Sequence, residues 1–274
     1  MTQRGQSRLL GKRLARLRRL ASLTLAEAVA PLRWSTSKLN RIENGQLPDF
    51  HGLRAMLDRY GVTVDRWQEY IDIFDAAGQP GWWRAYGLDD RGYVSIEAEA
   101  VLVRDFTLAY VPGLLQTEDY ARALFRANPR SAQRLDKDVR VRMIRQKRLT
   151  SLDDPLQLVA VVTEAALRNP VGGRKLMKAQ LEQILMVAEL DTVTVRVLPT
   201  SVGAHPGIDG SFTLLSFGVP DEPDMAFVEH AIGSTSSAKP NVVKAATLRF
   251  RRLRASALGL DDSTALIERL ADEC

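Results

Sequence analysis

Two helix-start signals set close together constrain this chain more than any other feature. Thr24-Leu25-Ala26-Glu27 has the Ser/Thr-x-x-Glu spacing of a capping box. In that arrangement the Thr24 hydroxyl accepts from the amide of Glu27, and the Glu27 carboxylate accepts from the amide of Thr24. Ser35 then stands as the N-cap of a further helix, in which Leu39 and Ile42 point inward. Pro31 limits the first of these helices, because proline lacks the amide proton that a helix interior needs. Asn44-Gly45 stops the second, since glycine tolerates the left-handed conformation that follows a helix end. The preceding segment carries Leu10, Leu14, Leu17 and Ala21 on one helical face and Arg8, Lys12, Arg16 and Arg19 on the other. A basic helix followed by two short helices with a tight joint is a helix-turn-helix pattern. Two more helical stretches, roughly 50–60 and 65–77, are lined by Leu53, Met56, Leu57 and Tyr60 and by Trp67, Tyr70, Ile71 and Phe74. Five helices are enough for one small all-α globule.

Charge supports a distinct role for this head. The 274 residues hold 38 Lys/Arg and 33 Asp/Glu, a net charge of +5. Residues 1–60 hold 12 of the basic groups and 4 of the acidic ones, leaving 26 basic and 29 acidic groups for the rest. A basic head on a mildly acidic body fits a chain whose head meets a polyanion, and double-stranded DNA is the expected partner. With 45% apolar residues the chain has the material for packed cores, which excludes disorder as its main state. Cys274 is the single cysteine, which excludes a disulfide scaffold. No run approaches the ~18 uncharged apolar residues of a membrane span. The opening residues are charged throughout where a secretory leader needs an apolar stretch, so a cytoplasmic location is expected.

The segments Leu23-Thr24, Leu32-Arg33-Trp34-Ser35-Thr36-Ser37-Lys38-Leu39 and Arg41-Ile42-Glu43-Asn44-Gly45 resemble the Cro/phage-repressor (XRE) type of DNA-binding domain. In that family the second helix of the motif lies in the major groove. The resemblance implies that Thr36, Ser37 and Arg41 face base edges, with Lys38, Asn40 and Asn44 near backbone or bases. Arg16 and Arg19 would then meet phosphates, and Thr24 is a further DNA-binding candidate. It also implies an ion pair between Arg18 and Glu43 that locks the recognition helix to the first helix. The chain departs from the family pattern at Leu25, where Gln is usual, at Val29, where Ala is common, and at Arg33, where Gly occupies the turn. Arg33 is therefore expected in a left-handed conformation that suits glycine better.

Gly78-Gln79-Pro80-Gly81 is a breaker cluster and sets an expected boundary: residues 1–78 the DNA-binding domain, 79–93 an aromatic linker anchored on the second domain, 94–274 that second domain. Helical patterns are expected over 94–105, 117–127, 132–150, 163–169, 173–188, 241–258 and 263–271. Strand-like runs fall at 107–111, 157–162, 193–198, 211–216 and 226–231. Strands first separated by helices and then in succession predict an α+β domain with a small mixed sheet, and so an α+β chain overall.

Chemistry is hard to find in this half. Phosphate-binding glycine loops, a His-Glu-x-x-His pair and a nucleophile elbow are all missing from the sequence. His205, Asp209, Glu229 and His230 have no metal-ligand spacing, Ser234–Ser237 reads as a polar loop, and the glycines of 200–210 read as turn chemistry. The expectation is a protein with no metal, no cofactor and no catalytic residues, hence not an enzyme.

Val111-Pro-Gly-Leu-Leu-Gln-Thr-Glu-Asp-Tyr-Ala121, Asn169-Pro-Val-Gly-Gly173, Lys178-Ala-Gln-Leu-Glu182 and the segment 195–217 resemble a group of actinobacterial regulators, the WhiJ-like group. These place a C-terminal antitoxin-like domain behind a repressor-type head. The resemblance implies a transcriptional regulator of development or secondary metabolism, paired with a small protein encoded nearby. One recognition helix reads only a few base pairs, so a homodimer is expected, joined through the second domain by its apolar strands or by the closing helices around Leu253, Leu258 and Leu266. The basic stretch 134–148, through Arg140, Arg145 and Arg148, would face a small acidic partner. An antitoxin-like module that captures another protein, with DNA binding secondary, is the alternative reading.

Overall fold

The computed structural model describes residues 3–127, 131–152, 154–218, 222–230 and 232–274, and the chain divides into two compact units, 1–85 and 86–274. The division falls later than Gly78, so the aromatic run through Ala85 belongs with the first unit. There Trp83 is buried, and Gly81 lies so close to its ring that a side chain at 81 would collide with it.

The first unit is all-α: α1 (Gln3–Leu20), α2 (Leu25–Val29), α3 (Thr36–Glu43), α4 (Phe50–Arg59) and α5 (Gln68–Gly78). The local signals act as their chemistry dictates. Thr24 and Glu27 close a reciprocal capping box, and the hydrogen bonds to Thr24 hold the Glu27 carboxyl below its usual range. The Ser35 side chain accepts from the amide of Lys38 at 3.1 Å. Helix α3 ends in a Schellman motif: Gly45, at φ +101°, donates to the carbonyl of Ile42, and Gln46 donates to that of Arg41 at 2.9 Å. Leu10, Leu14, Leu39, Ile42, Leu53, Met56 and Leu57 form the core, each no more than 1% exposed. A fully buried side chain of this kind stabilises by about 1.5–3 kcal/mol.

Arg33 takes φ +54° in the turn between α2 and α3, and its side chain is exposed. A left-handed L-residue costs roughly 1–2 kcal/mol, partly offset in any glycine replacement by the ~0.5–1 kcal/mol of extra freedom glycine has when unfolded. Arg33→Gly is therefore expected to stabilise the first unit by up to about 1 kcal/mol. All four tryptophans (34, 67, 82 and 83) lie in residues 1–85, so a melt followed by tryptophan fluorescence reads this unit alone. A melting temperature that stays level or falls would contradict the expectation.

The second unit is α+β. Its elements run α6 (Tyr93–Glu97), β1 (Leu102–Thr107), α7 (Glu118–Arg126), α8 (Ala132–Gln146), β2 (Gln157–Thr163), α9 (Glu164–Arg168), α10 (Arg174–Ala188), β3 (Val193–Leu198), β4 (Phe212–Ser216), β5 (Met225–His230), β6 (Gly233–Ser237), α11 (Pro240–Ser256) and α12 (Leu260–Asp272). One six-stranded mixed sheet has the order β3-β2-β1-β4-β5-β6, with β1, β2 and β3 parallel and the β1–β4, β4–β5 and β5–β6 pairs antiparallel. Hydrophobic clusters cover both faces. Val103, Leu158, Ala160, Val195 and Leu215 meet α10 and α12 on one, and Phe106, Val161, Leu214 and Ala226 meet Phe250 and Leu253 of α11 on the other.

Three expectations are corrected here. The segment 94–105 is not one helix: it breaks after Glu97, and β1 occupies 102–107 where a helix end and a later strand were expected. Ser234–Ser237 belongs to an edge strand, β6, held by its backbone pairing with β5. Leu253 and Leu266, expected on a dimer patch, are 0% and 5% exposed because they fill the unit's own core, and Leu258 is half-buried beside it.

Candidate nucleic-acid interface

Helix α3 presents two unlike faces. Leu39 and Ile42 turn into the core, while Thr36, Ser37, Asn40, Arg41 and Asn44 are exposed. At 100° per residue those five positions fall within a single arc of less than half a turn. Thr36, Ser37 and Arg41 have no side-chain partner among the described residues. Asn44 donates to the carbonyl of Asn40 at 2.8 Å and to its Oδ1 at 3.2 Å, so the two amides are ordered against each other. Lys38 turns aside, with its Nζ 3.8 Å from the centre of the Trp34 ring. The hydroxyl of Thr24 is engaged in the capping box, donating to Glu27 Oε2 at 2.7 Å. Arg16 and Arg19 are exposed on the arc of α1 opposite Leu10 and Leu14.

The face is fixed from behind. Arg18 donates through Nε to Glu43 Oε1 at 2.6 Å and through Nη2 to Oε2 at 2.9 Å, with side chains only 12% and 8% exposed. Its Nη1 donates to the carbonyl of Leu23 at 2.7 Å, which ties the end of α1 to the turn into α2. The bond to Glu43 raises the Arg18 pKa above its ordinary value. Bidentate pairing fixes orientation as well as distance. Gly11 adds a contact that sequence reasoning passed over. A Cβ at position 11 would stand 2.5 Å from the Ile42 carbonyl oxygen and 2.8 Å from that of Glu43, so α1 and the end of α3 meet backbone to backbone. A glycine in the middle of a basic helix, one turn after Ser7 and before Ala15, was the available signal.

In the second unit the expected partner-facing arginines divide. Arg140 is exposed. Arg145 is turned inward and grips Glu97 through two bonds of 2.6 Å, the side chains being 9% and 2% exposed. Arg148 donates to the carbonyls of Glu97 and Ala98 and to Asp154, tying the end of α8 to the turn after α6. Both are internal fasteners, and neither is free for an acidic partner. The histidine group is also dispersed. His205 accepts the amide of Gly207 and packs edge-on to Phe106, while Asp209 stands 3.7 Å from Arg249. Among the described residues no three His, Cys, Asp or Glu side chains gather as a metal ion would require. No helix among them is long and apolar enough to cross a membrane.

A helical unit with a braced, exposed polar helix, joined to a mixed-sheet domain, defines a helix-turn-helix protein of two domains. Residues 9–69 match a helix-turn-helix domain, which points to a DNA-binding regulator. Residues 90–269 match a domain of unknown function (DUF5753), and since this match spans most of the chain, the protein belongs to that family. No curated protein and no solved structure matches the chain.

Proposed function

We propose that this protein is a sequence-specific transcriptional regulator of the XRE and WhiJ-like kind, acting as a cytoplasmic homodimer and without catalysis. The observation that carries the reading is the outward arc of α3, whose Thr36, Ser37 and Arg41 have no side-chain partner among the described residues while the helix behind them is pinned by Arg18–Glu43. A rigid helix with free donors on one side suits major-groove reading, where an arginine can donate twice to guanine O6 and N7. The second domain joins two heads and receives a regulatory signal, from a small protein partner or a ligand.

Arg41→Ala is expected to cost about 1–3 kcal/mol on the preferred sequence and to relax preference at one or two positions. Arg16→Ala and Arg19→Ala should weaken binding to all sequences alike and flatten the salt dependence, as loss of a phosphate contact does. Titration of labelled duplexes at several salt concentrations separates the two patterns. Equal losses on preferred and random DNA for Arg41→Ala would refute its assignment to base edges.

A further inference from the structure

The second domain contains a polar cavity of about 280 Å³ that the DNA-reading proposal does not use. Its floor is set by strand register. Asp105 of β1 pairs with Thr213 of β4, which pairs with Phe227 of β5, and Thr107 and Glu229 come two residues further along their strands. Helix α8 supplies Arg142 and Arg145 as a wall, and Tyr93, its ring tilted against that of Phe227 with centroids 4.5 Å apart, closes one side.

The charges in this cavity are unequal in their partners. Arg145 is neutralised by Glu97. Among the described residues Arg142 forms no ion pair: it donates from Nη1 to Gln116 Oε1 at 2.9 Å, its guanidinium lies 4.9 Å from the Phe125 ring, and the Glu97 and Glu229 carboxylates act on it only from further away. Burial and the neighbouring Arg145 pull it down to about 10. The chain nevertheless builds a seat for this side chain. Gly113 leaves the space it needs, since a Cβ there would lie 2.6 Å from its Nη1. Gln116, fully buried, donates to the carbonyl of Val111 at 2.7 Å and offers its oxygen to Arg142. Gln146 donates to the carbonyls of Gly113 and Gln116, and Gln180 to that of Leu115. The segment Val111–Thr117 is thus a hydrogen-bonded mount that holds one cation at a cavity wall, out of direct contact with any carboxylate of the described residues.

Several acceptor-bearing groups line that cation's cavity, Thr107, Asp105 and Glu229 among them. Thr107 is 3% exposed, and its hydroxyl, itself buried, has no hydrogen-bond partner among the described residues. Asp105 is 9% exposed and accepts from Thr213 at one oxygen, at 3.0 Å. Burial pushes its carboxyl up to about 6. An arginine fork recognises a planar carboxylate through paired N–H bonds. A carboxylate and a hydroxyl nearby recognise a hydrogen-bond donor. The volume lies at the small end of ligand sites.

We infer that this cavity binds a small organic acid carrying a hydrogen-bond donor near its carboxylate, an amino or hydroxy acid, with the carboxylate on Arg142 and the donor on Asp105 and Thr107. The site is separate from α3, and binding to it stands whether or not α3 reads DNA.

Calorimetric titration of the full chain, without DNA, with the common L-amino acids, their α-hydroxy counterparts and the matching carboxamides tests it. At least one acid should bind, and its carboxamide should bind at least tenfold more weakly. Arg142→Gln should lose binding at least tenfold. Thr107→Val, which keeps shape and removes only the unpartnered hydroxyl, should weaken it severalfold in a protein whose melting is unchanged; it decides the matter if Arg142→Gln does not fold. Amino acids bound over hydroxy acids would assign the donor to an ammonium, and the reverse to a hydroxyl. No binding by any acid, equal binding by acid and carboxamide, or binding untouched by Thr107→Val would overturn the inference.

Discussion

Glu97→Ala is expected to destabilise the second domain by about 3–5 kcal/mol, because it leaves Arg145 as a buried charge without its ion-pair partner. Glu97 is 2% exposed and holds both forks of Arg145 at 2.6 Å. Burial alone would lower the Arg145 pKa, yet Glu97 more than offsets this and raises it. Without Glu97, Arg145 would keep the ring of Tyr93, 5.1 Å away, and the more distant Asp105 carboxylate, with Arg142 opposing it. Glu97→Gln, which keeps the volume and one acceptor oxygen, should cost less. Unfolding followed by circular dichroism should show an earlier transition for the sheet-bearing domain, while tryptophan fluorescence, confined to residues 1–85, should not move. A domain that melts unchanged after Glu97→Ala would show that the pair contributes nothing net.

Glu43→Ala should have the second largest effect, a loss of a few kcal/mol confined to the first unit. The pair with Arg18 is slightly more open than Glu97–Arg145, so part of the abandoned guanidinium's cost is relieved by water. Arg18 would keep only the Leu23 carbonyl. The tryptophan-fluorescence transition should fall, and DNA binding should survive at temperatures below it, because Glu43 braces the reading helix from behind. An unchanged melting temperature together with lost DNA binding would place Glu43 at the interface instead.

The head was legible because its signals are local. Thr24 and Glu27 lie within one turn, Ser35 caps the next residues, and Asn44-Gly45 ends the helix at once. The exposed arc of α3 follows from those boundaries and from Leu39 and Ile42. The second domain was legible where strands alternate or run apolar, as over 193–198, and illegible where function-like residues interrupt them. In β1 both faces are covered: Phe106 fills the core on one, while Asp105 and Thr107 share the other with Val103, so two polar side chains occupy a buried row and break the expected alternation. Strand β6, Gly-Ser-Thr-Ser-Ser, has no apolar side to betray it and is paired only through its backbone. Arg145 and Arg148 were expected to face a partner because the segment that engages them lies about fifty residues earlier in the chain, at Glu97 and Ala98. The cavity had no sequence signature for the same reason, since Asp105, Thr213 and Arg142 meet only through sheet register and the packing of α8.

Selection of duplexes from a random pool by the full-length protein tests the central claim most directly. The account predicts enrichment of one sequence with two-fold related half-sites, centred one helical turn or a small multiple apart, about 10 base pairs per turn. Arg41→Ala, selected in parallel, should lose preference at one or two positions of each half-site. Retention of DNA without enrichment of any sequence would contradict the account, as would an unchanged preference after Arg41→Ala.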